Sequence, residues 1–343
     1  VAERDRAIYD RLAPVPEREW NKGAGLDALL EGAREPFVLR GLAVDWPLVE
    51  AGKRSGRDAR RYLLEHARDR PFKVSIGAPG HDGRLFYDAG MEMNFRIGTG
   101  KLADIFGGID TAEERGENRT VYLASIDILS HFDGLDEANS VDLGTRDPLK
   151  SIWIGTRTKI AAHNDFPDNL ACCAVGRRRF TLFPPSAFRN LYLGPIDNTP
   201  AGRVVSMVDF DAPDLAAHPR FVDAMAEAQT VELEPGDAIF IPSMWWHHVE
   251  GLADFNILVN YWWRRTPAWL GQPQAALNHA ILAIRDLPPE DKAIWREQFN
   301  HYVFDNDASV TDHIPETARS ILAPLTSETA GRLRAFLLRA LSK

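Results

Sequence analysis

The sequence is poor in cysteine, has no long apolar run and carries no surplus of basic residues. Its two cysteines, Cys172 and Cys173, sit side by side. Adjacent residues in extended chain point to opposite faces, so a structural disulfide between them is not expected. This usage fits a reducing, cytoplasmic setting. No segment approaches the ~20 apolar residues that span a bilayer, so no membrane partner is expected. Residues Val1 to Glu19 are charged and lack an apolar stretch of leader length. Forty Lys and Arg stand against 49 Asp and Glu, a net charge of −9. That balance argues against a nucleic-acid partner held through its phosphates. It leaves room for a local cation holding a small anion.

What is present suits a buried core. The 343 residues are 45% hydrophobic and include nine Trp and seventeen Phe, which excludes wholesale disorder. The length fits one large domain or two modest ones. Three stretches differ in pattern. Up to residue 129, strands and helices mix: Pro36–Arg40, Val74–Ile76 and Val121–Ala124 read as strands, Asp58–Asp69 as an amphipathic helix. Residues 130–266 carry short β-type runs: Ile152–Thr158, Leu170–Val175, Phe180–Phe183, Val204–Met207, Thr230–Glu234, Ala238–Ile241 and Asn256–Trp263. Gly176, Pro184-Pro185 and Pro235-Gly236-Asp237 punctuate them. The pattern predicts a mainly β chain with helices, built as a sandwich or closed barrel. Residues 267–343 read as helical, over Ala275–Leu287, Pro289 to about Phe304, and Thr326–Leu341. This tail is expected to cap the barrel or to pair two subunits.

Three of the ten histidines are placed differently from the rest. His163 and Asp165 form H-x-D, and in extended chain positions i and i+2 point the same way. His247 and His248 follow Ile241-Pro-Ser-Met-Trp-Trp246. Two neutral imidazoles and one carboxylate on one face of an octahedron leave three positions open, the pattern of non-haem Fe(II) oxygenases. The competing reading is a chance H-x-D and a His pair packed among aromatics. A second feature is Gly176-Arg-Arg-Arg-Phe180. Strand alternation sends Arg178, Phe180 and Leu182 to one face, so Arg178 is an inward cation if that face lines the barrel. An Arg fork there can hold a carboxylate at two points. A solvated hairpin turn explains Arg177 and Arg179 well, but not a cation on the apolar face.

Together these runs resemble the JmjC or cupin-8 family, and within it the asparaginyl hydroxylases. The resemblance rests on His163-Asn-Asp165 to Asn169, on Gly176-Arg-Arg-Arg-Phe-Thr-Leu-Phe-Pro-Pro185, and on Pro235-Gly-Asp-Ala-Ile-Phe-Ile-Pro-Ser-Met-Trp-Trp-His-His-Val249. It covers roughly residues 35–264. It implies a double-stranded β-helix, the cupin or jelly-roll barrel, with an N-terminal α/β elaboration and C-terminal helices. It implies Fe(II) held by His163, Asp165 and His247, the first His after the aromatic pair. It implies 2-oxoglutarate held by Tyr122, Asn169, Arg178 and Asn260, with Trp262 lining the substrate pocket. The implied activity is a dioxygenase that hydroxylates a protein or peptide, with a possible homodimer through the C-terminal helices. The sequence departs from the pattern in three places. Arg178 stands for a lysine, Ile160 for a Thr that contacts 2-oxoglutarate, and Ala124 for a polar residue that contacts substrate. Two other classes therefore stay open. One is a cupin-fold binding protein whose metal is structural or absent. The other is a metal-dependent cupin enzyme that does not use 2-oxoglutarate.

Overall fold

The computed structural model describes residues 11–21, 23 and 25–342. Of the charged N-terminal stretch, residues 1–10 lie outside the described set. Contacts divide the chain into two compact units, Val1–Trp263 and Arg264–Lys343.

Among the described residues, the first unit is built on fourteen strands. In chain order they are β1 (Ala13–Pro14), β2 (Phe37–Leu39), β3 (Phe72–Gly77), β4 (Arg84–Leu85), β5 (Phe95–Gly100), β6 (Val121–Asp127) and β7 (Leu149–Gly155). There follow β8 (Lys159–Asn164), β9 (Asp168–Val175), β10 (Arg178–Phe183), β11 (Gln229–Leu233), β12 (Ala238–Ile241), β13 (Trp246–Gly251) and β14 (Asn256–Trp263). They form two sheets, in the orders β1-β11-β10-β13-β8-β4 and β2-β12-β9-β14-β7-β6-β3-β5. Nearly all neighbours are antiparallel. Two such sheets with helices outside make a jelly-roll sandwich, the double-stranded β-helix that the resemblance implies.

Side-chain alternation decides what each face covers. On β9, Leu170, Cys172 and Ala174 join the core under the helices, while Ala171 and Cys173 face the space between the sheets. The two cysteines are free and buried in different cores. Burial pushes both thiols up, that of Cys173 to about 12. The inter-sheet core is formed by Ile160, Phe180, Leu182, Val249 and Leu258 among others. Helices Pro47–Arg54, Gly56–His66 and Leu102–Glu114 cover the outer face of the larger sheet through Leu48, Leu63 and Phe106. The division expected at residue 129 falls between β6 and β7, which are hydrogen-bonded neighbours.

Several elements differ from expectation. The strand expected over Ile152–Thr158 ends at Gly155, and a turn leads into β8, which carries His163. Val204–Met207 is no strand; it makes one isolated bridge, Leu193 with Ser206. Arg179 is not a solvated turn residue, because Glu232 and Glu250 pair with it at 2.8 and 3.3 Å. Gly98–Gly100, whose glycines signal a turn, instead ends strand β5, paired with β3; helices Pro47–Arg54 and Leu102–Glu114 carry no expectation from pattern, since their apolar periodicity is short or interrupted by glycine.

The second unit is helical, over Pro273–Ala283, Pro289–Phe299 and Ser327–Leu341, the last capped by Thr326 in a capping box. The helix expected to reach Phe304 passes at Asn300 into a wider π turn. Large apolar side chains are exposed here, among them Leu282, Phe304 and Leu338.

Gly176 makes the turn from β9 to β10 and so aims Arg178. Its φ is +74°, and a Cβ would lie 2.5 Å from the Phe255 carbonyl oxygen and from Asn256 Oδ1. Gly176→Ala should therefore cost about 2 kcal/mol or more, from the left-handed backbone and the clash. Calorimetry should register a fall in Tm of roughly 5 °C; an unchanged Tm would refute the turn's role.

Candidate metal centre

β8 and β13 run antiparallel, and their register sets His247 directly opposite His163. The two rings lie 4.3 Å apart between centroids. Asp165 follows just beyond the end of β8, where its carbonyl accepts from the Met244 amide at 2.8 Å. Its carboxylate reaches within 3.7 Å of His247 Nε2. One ligand atom from each of His163, Asp165 and His247 lies within 4.8 Å of the others.

The second nitrogen of each ring explains its orientation. His163 Nδ1 lies 2.9 Å from the Ala161 carbonyl, and His247 Nδ1 lies 3.1 Å from the Trp245 carbonyl. A proton on each Nδ1 satisfies those carbonyls and leaves Nε2 as the lone pair for a metal. Burial, with His163 close by, pushes the pKa of His247 down to about 4, so the free ring is neutral near pH 7. Two imidazoles and a carboxylate match the facial donor set of Fe(II), so the residues present fit that ion.

His248 belongs to the other side of the sheet. It stacks on Phe210 with ring centroids 4.5 Å apart and takes no part in the cluster. Burial and the cations Arg84 and Lys159 hold it neutral, with its pKa down to about 3. The choice of the first His of the pair thus has a physical cause, the alternation of β13.

A cavity of about 490 Å³ opens beside the three ligands. Tyr122, Asn169, Arg178, Asn260 and Trp262 all line it, so every residue assigned from the resemblance meets in one space. Arg178 is fully buried, and its Nε and Nη2 have no hydrogen-bond partner. Tyr122 faces it, its hydroxyl pKa pushed up to about 12 by burial. Gly155 makes room for that ring, since a Cβ there would come within 2.9 Å of Tyr122 Cδ2. Asn260 donates to Asn169 Oδ1 at 2.8 Å, which leaves Asn260 Oδ1 without a partner. Trp262 Nε1 is likewise buried and unpartnered. Ile160 lines the cavity and Ala124 its outer part, where the family pattern has hydroxyl and polar groups.

Sequence reasoning missed three contributors. Trp153 stands between Tyr122 and Trp262, with centroids 5.9 and 5.8 Å away, and completes an aromatic wall. The alternation Ser151, Trp153, Gly155 on β7 carried that signal. Lys73 lines the outer cavity from β3. Arg203 lies 3.8 Å from the Asp165 carboxylate on an irregular loop, and no local pattern announces it.

The geometry makes a clear prediction for metal binding. His163→Ala, Asp165→Ala and His247→Ala should each abolish the rise in Tm that Mn(II) gives the wild type. His248→Ala should keep that rise while lowering the metal-free Tm, because a buried ring worth about 2 kcal/mol is lost. Loss of the Mn(II) effect in His248→Ala alone would reverse the assignment.

Comparison with known proteins agrees with this geometry. The profile of a cupin-like domain matches residues 27–268. The chain is 33% identical over 115 residues to lysine-specific demethylase JMJ31 of Arabidopsis thaliana, covering 33% of this chain and 20% of that protein. It is 34% identical over 151 residues to tRNA wybutosine-synthesizing protein 5 of Mus musculus, covering 40% of this chain and 45% of that protein. It is 30% identical over 137 residues to HSPB1-associated protein 1 of Homo sapiens, covering 38% and 27%. The chain thus spans less than half the length of these relatives. Because the profile takes in every strand from β2 to β14, the chain belongs to the cupin-8, JmjC-like family.

Proposed function

We propose that this chain is an Fe(II)- and 2-oxoglutarate-dependent oxygenase that hydroxylates a side chain of a protein or peptide. The observation that carries this reading is Arg178. A buried cation with two unpartnered donors is costly in an apolar wall and calls for an anion. It shares one cavity with two imidazoles and a carboxylate suited to iron. A dicarboxylate is the small molecule that engages both ends of that cavity at once. The similarity to a lysine-specific demethylase supports an oxidoreductase class.

When bound, the iron and 2-oxoglutarate supply the oxidising chemistry, with succinate and CO₂ as products. The residues of the chain bind and orient. Arg178 and Tyr122 hold the distal carboxylate, the guanidinium fork supplying two charge-assisted hydrogen bonds. Arg replaces the family's lysine here with the charge kept. Asn169 and Asn260 serve the chelating end. Turning both amides over keeps their mutual hydrogen bond and presents an N–H, rather than an oxygen, to the cavity. Ile160 offers no hydroxyl, so Tyr122 carries that part of the binding. Trp153 and Trp262 wall off the reacting space from water, and no general base is assigned.

Arg178→Met separates this reading from a binding protein with no co-substrate. Removing an unpaired buried charge should raise the Tm of the free protein. The same change should weaken 2-oxoglutarate binding roughly 100-fold, as expected for about 3 kcal/mol of charged hydrogen bonds. Iron-dependent release of succinate, lost in Asp165→Ala, should accompany binding in the wild type. Metal binding without any response to 2-oxoglutarate would leave the cupin binding protein in its place.

We also propose a cytoplasmic protein and a homodimer through residues 275–343, where Leu282, Phe304 and Leu338 expose apolar surface. Among the described residues, no helix is long and apolar enough to cross a membrane. Light scattering should give twice the chain mass; a monomer would remove the dimer.

A further inference from the structure

We propose that the outer part of the cavity selects an acidic peptide, with a substrate carboxylate seated on Lys73, and rejects methylated lysine. The proposal rests on the reading above only in taking this cavity as the substrate chamber.

The β3 register carries the argument. Ser75 pairs with Tyr122 on one side and with Ile97 of β5 on the other, while Lys73 pairs with Thr99. Lys73 and Ser75 therefore share the face that carries Tyr122, and both line the cavity. Trp153 stands two strands away on the same face, roughly 10 Å from the Lys73 backbone. A side chain reaching the metal past Trp153 leaves its neighbouring residues beside Lys73.

Among the described residues, the other lysines of this unit are committed. Lys101 pairs with Asp69, Lys150 with Asp136, and Lys159 with Asp82 and Asp211. Lys73 is exposed, and among the described residues no carboxylate is paired with it. The cavity wall holds a single acid, Asp165, which already serves the metal cluster and faces Arg203. The chamber thus offers a substrate one open cation, Lys73, without a spare carboxylate, in a chain of net charge −9. A concave site walled by one sign of charge concentrates the opposite sign.

The same inventory disfavours a methylated lysine. A quaternary ammonium is held by aromatic faces arranged around it. Here Tyr122, Trp153 and Trp262 form a row along the sheet, with the two tryptophans edge to face. A substrate cation would also meet Lys73 as a like charge. One exposed lysine suits one carboxylate, whereas a nucleic acid needs many phosphate contacts and would face the acidic remainder.

The test is selection from a randomised nonapeptide pool that includes trimethyl-lysine. Full-length protein loaded with Mn(II) is used, and retained peptides are sequenced by mass spectrometry. Asp and Glu should be enriched in the retained fraction. Lys73→Glu should cut that enrichment about fivefold or invert it toward lysine, the scale of one partly exposed ion pair. Equal recovery of acidic and trimethyl-lysine peptides would overturn the proposal. So would enrichment unchanged in Lys73→Glu, no retained peptide, or displacement of peptides by an RNA 15-mer at equal concentration. Thermal response to 2-oxoglutarate is read in parallel. Its absence beside Lys73-dependent selection would remove the oxygenase reading and leave the Lys73 assignment standing.

Discussion

The antiparallel pairing of β8 with β13 is the contact on which the site depends. It sets two imidazoles side by side from residues 84 positions apart in sequence, and it needs no loop to do so. The ladder fixes the backbones, and the carbonyls of Ala161 and Trp245 fix the rings. Asp165 then needs only the turn after β8 to bring its carboxylate in. A site built on paired strands is held more closely than one built on loops, which suits an ion with fixed ligand directions.

A local irregularity in that ladder matters as much as its regular part. The register passes from His247 opposite His163 to Val249 opposite Ile160, so β8 spends one residue more than β13. Three positions apart, Ile160 and His163 would face opposite sides of a regular strand. The bulge lets both line the cavity. Elsewhere strict alternation divides neighbours cleanly. Arg178 is turned inward and Arg179 outward to two glutamates; His247 meets the cluster and His248 packs on Phe210. Each pair is chemically alike, and only the face of the strand separates their roles.

Charge is distributed on the same plan. The chain is acidic overall, yet its cavity lining holds one carboxylate beside two cations, Lys73 and Arg178. Cations on the outer faces are neutralised by nearby acids, as with Lys159 and Arg84. Arg178 is left with open donors, a burden in the free protein that an anion relieves.

Much of this was legible in the chain itself. Short β-type runs bounded by turn residues located Ala238–Ile241 and Asn256–Trp263 to the residue, because strands buried on both faces carry few polar side chains. The H-x-D and the aromatic-flanked His pair pointed to the ligands, since their chemistry is carried by residue type and short spacing. What the sequence by itself determined is therefore the β architecture, the three ligand candidates and the inward arginine. The tertiary structure alone decided the rest. Strand β5 is glycine-broken, with no period to read, and the face of Ile160 depends on a bulge seen only in the paired strands. Lys73 reaches the cavity, and Arg203 the Asp165 carboxylate, from segments far from the motifs. Their roles arise from which strands and loops the two packed sheets bring together, a matter of long-range packing that no local spacing encodes.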